Sequence, residues 1–219
     1  MKVSKETSIK HHDELLRAAS RLFRERGFDK VGIAEIAPAA DLTHGAFYTH
    51  FASKEALCVE VIANASRRSQ AALDSGINWR NYVEAYLSPQ HVRDRANGCP
   101  YAALAGDVSR ESKAVKGAFS GSLDSSINAI ATTLDRHGEP ACRENAIQAL
   151  STIVGALVLA RTAASPKFRD DILGAARKKM LETLDHSMRE IWKDAETQHS
   201  KAIALLPAEE HPVLRQLEL

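Results

Sequence analysis

Between Leu15 and Leu57 apolar residues recur at helical spacing, and turn-forming residues cut the pattern three times. Leu15, Ala19, Leu22 and Phe23 fall on one face of a helix that the spacing predicts from about Thr7 or Ser8 to Arg26. Gly27 follows the last periodic residue and reads as its C-terminal stop. A second, shorter helix is expected from Ile33 to about Ala40, strained by Pro38, which lacks a donor and should crowd the Ala34 carbonyl. Asp41-Leu42-Thr43 reads as a turn, with Thr43 able to cap a third helix over His44 to Phe51. Ala52-Ser53 makes the next break. Three short helices joined by tight turns have the dimensions of a helix-turn-helix, although a plain helical subdomain has them too.

The rest of the chain continues in the same helical style. Among 219 residues there are only 11 Gly and 7 Pro, and no sustained alternating β-branched runs occur. The expectation is therefore an all-α protein. A linking helix is expected from Lys54 to about Leu73, ended by Asp74-Ser75-Gly76. Further helices are expected over Trp79–Leu87, from Pro100, over Ser112–Arg136 with soft breaks at Gly117 and Gly121, over Arg143–Ala164, and over Asp170–Glu196. Ser88-Pro89 and Asn97-Gly98 bracket an irregular stretch, Gly138-Glu139-Pro140 closes one helix, and Pro166 ends another. The tail from Gln198 is left unassigned. The division expected is residues 1–53 as one small unit, a helix over about 54–74 as linker, and residues 75–219 as a larger one.

Charge does not point to nucleic acid by itself. The chain carries 29 Lys and Arg against 28 Asp and Glu, a net +1, so a DNA-binding reading must rest on local sequence. Near the N-terminus no apolar core is followed by small residues, so no secretory signal is expected. The apolar stretch Ala146–Ala160, interrupted by Gln148, Ser151 and Thr152, is too short and too polar to be expected to cross a bilayer. Cys58, Cys99 and Cys142 lie at wide, unpatterned spacings that fit neither disulfides nor zinc and suit a reducing cytoplasm. No phosphate loop, dinucleotide fingerprint, HExxH or Ser/His/Asp arrangement is present, so a small helical enzyme is a weaker alternative, as is an interaction protein without sequence-specific DNA binding, and no cofactor or metal is expected. His11-His12 reads as solvated surface of the first helix.

The short third helix carries the chemistry. Phe47 and Phe51, four apart, point inward with Leu42, Ile36 and Phe23 as partners. The other side presents Thr43, His44, Gly45, Ala46, Tyr48, Thr49 and His50. Gly45 and Ala46 let the backbone approach base edges, while Tyr48 and His50 supply donors for phosphate oxygens. Lys54 sits in the first turn of a helix, the wrong end of the dipole for a cation but a suitable place to grip an anion.

The run Phe47-Tyr48-Thr49-His50-Phe51-Ala52-Ser53-Lys54-Glu55-Ala56-Leu57, with the preceding Gly32–Ala46 stretch and the Leu15–Phe23 and Gly27-Phe28 segments, resembles the DNA-binding domain of the TetR/AcrR family of transcriptional regulators. The resemblance covers about residues 10–62. It implies an all-helical homodimer that binds a palindromic double-stranded DNA operator, mostly as a repressor released by a small-molecule inducer. It also implies that Thr43, His44, Gly45, Tyr48, His50 and Lys54 lie at the DNA. Gly32 stands where that family usually has threonine and Asp41 where it usually has glycine, and Pro38 is unusual in the second helix. These departures bear on operator affinity more than on fold.

In the C-terminal unit, Gly98–Asp107 resembles a segment found in a subgroup of that family. The helices Arg143–Ala164, apolar nearly all round, and Asp170–Glu196 are the expected dimer face. A ligand cavity is expected among the helices from Trp79 to Arg136, with Trp79, Tyr82, Cys99, Tyr101, Leu104 and Phe119 as candidate walls. Cys99, just before Pro100 at a helix start and near Arg93 and Arg95, raises the alternative of a repressor that senses oxidants or electrophiles through a lowered thiol pKa. A small, buried, unreactive cysteine is the competing reading.

Overall fold

In the computed structural model, Ser4 opens the first helix by accepting the Thr7 amide on its Oγ at 3.1 Å. Residues 4–136 and 142–182 are described, except for the side chains of residues 65, 66, 68–70, 72, 74 and 136. The expected closure at Gly138-Glu139-Pro140, the helix beyond residue 182 and the tail from Gln198 lie outside them. Helix α1 (Lys5–Arg26) is followed by α2 (Ile33–Ala39), α3 (His44–Phe47), α4 (Lys54–Asp74), α5 (Trp79–Tyr86), α6 (Pro89–Arg93), α7 (Pro100–Val108), α8 (Lys113–Arg136) and α9 (Arg143–Thr162). A tenth helix, α10, occupies 166–182. No strand occurs among the described residues, as expected of an all-α chain.

Two apolar cores organise these helices. The first gathers Leu15, Ala19 and Phe23 of α1, Ile36 of α2, Phe47 and Phe51, and Leu57 and Val61 of α4, and it reaches Leu104, Val108 and Val115 on α7 and α8. The second lies among α5, α7, α8, α9 and α10, with Trp79, Val83, Tyr101, Ile130, Ile153, Leu157 and Leu173 at its centre. Helix α4 runs from the first core to the second, where its Leu73 is buried, and it packs along α8.

The end of α2 explains two of the three departures noted in the sequence, Pro38 and Asp41. Pro38 lies in the last turn, so the missing donor comes where the helix is already stopping. Leu42 N donates to Ala37 O at 2.9 Å and Asp41 N to Pro38 O at 3.0 Å. This is a complete Schellman closure, and Asp41 occupies its left-handed position at φ 57°. Gly27 ends α1 differently: its φ is 84°, and a Cβ there would lie 2.5 Å from Asp107 Oδ2 on α7.

Several expected boundaries shift. Helix α3 is four residues long and does not reach Phe51. After it, Thr49 N bonds to Ala46 O and His50 N to Phe47 O, i→i+3 bonds that tighten the chain into turns. The stretch between Ser88 and Pro100 contains α6, capped by Ser88 and started by Pro89. Gly117 and Gly121 do not interrupt α8. Pro166 starts α10 instead of merely ending α9, because Ser165 Oγ accepts from Phe168 N at 3.2 Å. Helix α9 is not covered all round. Ile147, Val158 and Leu159 stay exposed, while Ala146, Leu150, Ile153 and Leu157 are buried. Helix α9 passes a test of length and composition for a membrane span, but its buried face places it in the second core, in line with the sequence reading.

The left-handed Asp41 gives a direct check. Asp41→Val, a β-branched residue at φ 57°, should lower unfolding free energy by about 1–2 kcal/mol in urea denaturation, while Asp41→Gly should not lower it.

Candidate nucleic-acid interface

Helix α3 is too short to form alone, so its position follows from its caps and anchors. Thr43, extended at ψ 156°, accepts the Ala46 amide on Oγ1 at 3.2 Å. Phe47 is fully buried and packs near Phe51, with ring centroids 5.6 Å apart. The expected inward pair is therefore in place, against α1 and α2.

The outward face is uneven. Gly45 is open, with nothing within 4 Å of where a Cβ would sit, and His44 is exposed beside it. Tyr48 is 53% exposed, held by edge-to-face contacts with His44 at 5.4 Å and Phe47 at 5.3 Å. Thr49 is exposed, but its hydroxyl donates to Ala46 O at 2.7 Å. Ala46 is half-buried. Thus Thr43, His44, Gly45, Tyr48 and Thr49 share a solvent face, with Ala46 turned partly inward.

His50 and Lys54 sit differently from the sequence expectation of two outward-reaching groups. His50 is half-buried, its ring 6.2 Å from that of His11 and 6.1 Å from that of His12. Burial first, then the neighbouring His12 and His11, holds its pKa below the ordinary imidazole value. Lys54 donates from Nζ to the Phe28 carbonyl, tying the start of α4 to the loop after α1. Ser53 caps the same turn through the Ala56 amide at 3.1 Å.

His11-His12 is not merely solvated helix surface. Both rings are half-buried, and His12 stacks on Phe51 at 4.6 Å and bonds Glu60 Oε1 at 2.7 Å. These contacts join residues about 40–50 positions apart, which no local spacing reveals. Among the described residues no group of three or more His, Cys, Asp or Glu is arranged to hold a metal ion.

The candidate ligand walls divide between the two cores. Trp79 and Tyr82 stack at 5.7 Å, and Tyr101 meets Phe119 edge-on at 5.4 Å. The Tyr101 hydroxyl bonds Ser122 and Ser126 of α8, so it is committed to the structure. Leu104 belongs to the first core, apart from Trp79. Cys99 corrects the reactive-thiol reading: it is buried, and burial raises its pKa despite its place at the start of α7. Cys58 is likewise pushed up to about 12 by burial.

Sequence reasoning missed Tyr86. It lies four residues beyond Tyr82 and seven beyond Trp79 on the same face of α5, a spacing that could have singled it out. Its buried hydroxyl meets no nitrogen or oxygen partner and lies against the Cys99 thiol, and His91 beside it donates from Nδ1 to Tyr86 O and accepts Cys99 N on Nε2. With both ring nitrogens so used, His91 is neutral, and burial lowers its pKa.

Two family profiles match. Residues 15–61 match bacterial regulatory proteins of the tetR family, and 79–172 match the LmrA/YxaF-like transcriptional regulator C-terminal domain. The HTH-type transcriptional repressor NemR of Escherichia coli is 33% identical over 89 residues, which are 38% of this chain and 45% of NemR. The repressor KstR2 of Rhodococcus jostii is 32% identical over 82 residues, 36% of this chain and 40% of KstR2. The chain thus spans less than half the length of these curated relatives. Among solved structures, the reduced form of E. coli NemR superposes with a TM-score of 0.64 at 22% identity, covering 78% of this chain and 95% of that one. A TetR-family regulator from Agrobacterium tumefaciens gives 0.67 at 20% identity, covering 80% and 98%.

The depressed His50 pKa sets a sign. A neutral ring is favoured in the fold, so its contribution is present above the unfolded value of about 6.5 and is lost as pH falls through the folded value. Urea midpoints measured from pH 7.5 downward should therefore fall, and His50→Gln should flatten that fall.

Proposed function

The chain belongs to the tetR family of bacterial regulatory proteins, DNA-binding transcription factors and not enzymes, and we propose that it is a ligand-responsive repressor. In this reading a homodimer in the cytoplasm binds a palindromic operator and is released by a small-molecule inducer. The observation that carries it is the solvent face of α3, where open backbone at Gly45 lies between exposed His44 and Tyr48. A short, side-chain-poor helix start can come close to base edges in the major groove. Thr43 and His44 then read bases, while Tyr48, Thr49, His50 and Lys54 serve phosphates. Lys54 reaches that role with its ammonium held against the Phe28 carbonyl, since an ammonium has three donors and one bond leaves two.

The dimer is assigned to α9 and α10. Ile147, Val158 and Leu159 on α9 and Phe168 on α10 are large apolar side chains left exposed, and Ser151 and Gly155 on α9 permit close approach. A two-fold axis there fixes the spacing of the two α3 helices near one DNA turn, about 34 Å. The inducer is assigned to the aromatic face of α5. Half-buried Tyr82, stacked on buried Trp79 and tilted against Tyr86, offers the ring surface there. Occupancy would favour a dimer geometry whose α3 helices no longer match successive grooves, a shift of population.

The route between the two units is short. Arg24 on α1 donates from Nη1 to Gly98 O at 2.9 Å, and Cys99 N, the next amide, bonds His91 at 2.9 Å. Asp107 on α7 accepts the Phe28 amide at 3.1 Å, beside the carbonyl that holds Lys54. A shift of α7 therefore moves groups bonded directly to the base of the DNA-facing unit.

Gel-shift titration of fragments upstream of the chain's own and neighbouring genes tests the reading. Retention should fall steeply with salt. Tyr48→Phe and Lys54→Ala should weaken binding to all sequences, Lys54→Ala lowering the salt slope by about 1, whereas Thr43→Ala and His44→Ala should alter base preference. Failure to retain any fragment, or unchanged affinity of Lys54→Ala at physiological salt, would count against it. In sedimentation, Ile147→Glu with Val158→Glu should convert a dimer to a monomer.

A further inference from the structure

Arg17, Arg21 and Arg24 stand at i, i+4 and i+7 along α1 and line one cleft between α1, α4 and the loop before α7. Its volume is about 390 Å³, within the range of small-molecule sites. We propose that this cleft binds a small amphipathic anion, a carboxylate or phosphate monoester carrying a short apolar tail.

Charge gives the first reason. Arg17 and Arg21 are exposed and form no ion pair with any described residue. Arg17 uses only Nε, on the Asp13 carbonyl at 3.2 Å. Arg24 forms the back wall, 8% exposed, its guanidinium fixed by Ser20 O, Ser20 Oγ and Gly98 O. Among the described lining residues Asp13 is the one carboxylate, so the cleft has a net positive charge. Guanidinium forks grip carboxylate or phosphate oxygens in pairs, and a partly desolvated cleft strengthens that grip.

Shape gives the second. The floor is Leu16 of α1 and Val61 of α4, both buried core residues, and the aliphatic stems of the arginines extend it. An alkyl tail can lie on that floor while its head meets Arg17 and Arg21. Asn64 of α4 and Asn97 of the loop close the sides. Asn97 adjoins Gly98, whose carbonyl holds Arg24, so an occupant touches α1, α4 and the loop at once. The cleft is separate from the aromatic face of α5, and it stands or falls without the DNA reading.

Isothermal titration of the full chain, without DNA, tests the proposal with octanoate, octyl phosphate, octanol and inorganic phosphate. Both amphiphilic anions should bind, and octanol and inorganic phosphate should bind at least about tenfold more weakly. The Arg17→Gln/Arg21→Gln double variant, changed only at exposed positions, should lose about tenfold or more toward the two amphiphiles. Asn64→Asp, which sets a carboxylate beside the arginines, should give the same loss. Equal affinity in wild type and double variant would place the amphiphiles elsewhere and overturn the proposal. So would no binding of either amphiphile below about 5 mM. A third arm uses nonspecific duplex DNA of about 30 base pairs. If the double variant weakens the duplex and leaves the amphiphiles unchanged, the arginines are DNA phosphate contacts and the proposal fails.

Discussion

The N-terminal helical unit depends on the burial of Phe47. A helix of four residues has too few internal bonds to offset the ordering of its backbone, so α3 exists because a large ring in the first core holds it. Burying one such ring contributes about 2–3 kcal/mol. Phe51 extends the anchor and brings the tight turns after α3 under the same control. Thr43 fixes the other end through the Ala46 amide. What remains outside, from His44 to Tyr48, is thus presented by a rigid seat instead of by its own secondary structure.

The same core reaches across the chain. Leu104, Val108 and Val115 of α7 and α8 pack with Phe23, Phe28 and Leu57, so the unit that presents α3 is completed by residues from far along the sequence. Polar bonds follow the apolar ones. Asp107 holds the Phe28 amide, Lys54 holds the Phe28 carbonyl, and Arg24 holds Gly98 O. Because protein cores are close-packed, a displacement of α7 cannot be absorbed locally and is transmitted to these groups. Gly27 shows how tight the junction is, since any side chain there would meet the Asp107 carboxylate.

Burial also decides the chemistry of individual groups. A helix start ordinarily favours a thiolate, yet at Cys99 desolvation outweighs it, and the thiol stays protonated. His50 is pressed between His11 and His12 and favours its neutral form for the same reason. His91 has both nitrogens committed to Tyr86 O and Cys99 N, so a proton there would break the second bond. For Cys99 the sequence position suggested one protonation preference and the surroundings imposed the other.

The sequence by itself determined the helical class, the three-part organisation around residue 40, and the inward pointing of Phe47 and Phe51, because helical periodicity and capping are local properties. The turn at Asp41 was legible for the same reason, while its left-handed φ of 57° came from the structure. Only the tertiary structure decided where α3 stops, which side of α9 stays uncovered, and what His12, Lys54 and Cys99 touch. Those outcomes depend on contacts between residues far apart in the chain, such as His12 with Glu60, Lys54 with Phe28 and Arg24 with Gly98. Local spacing fixes which way a side chain leaves its helix, but the neighbour it meets is set by how the helices pack.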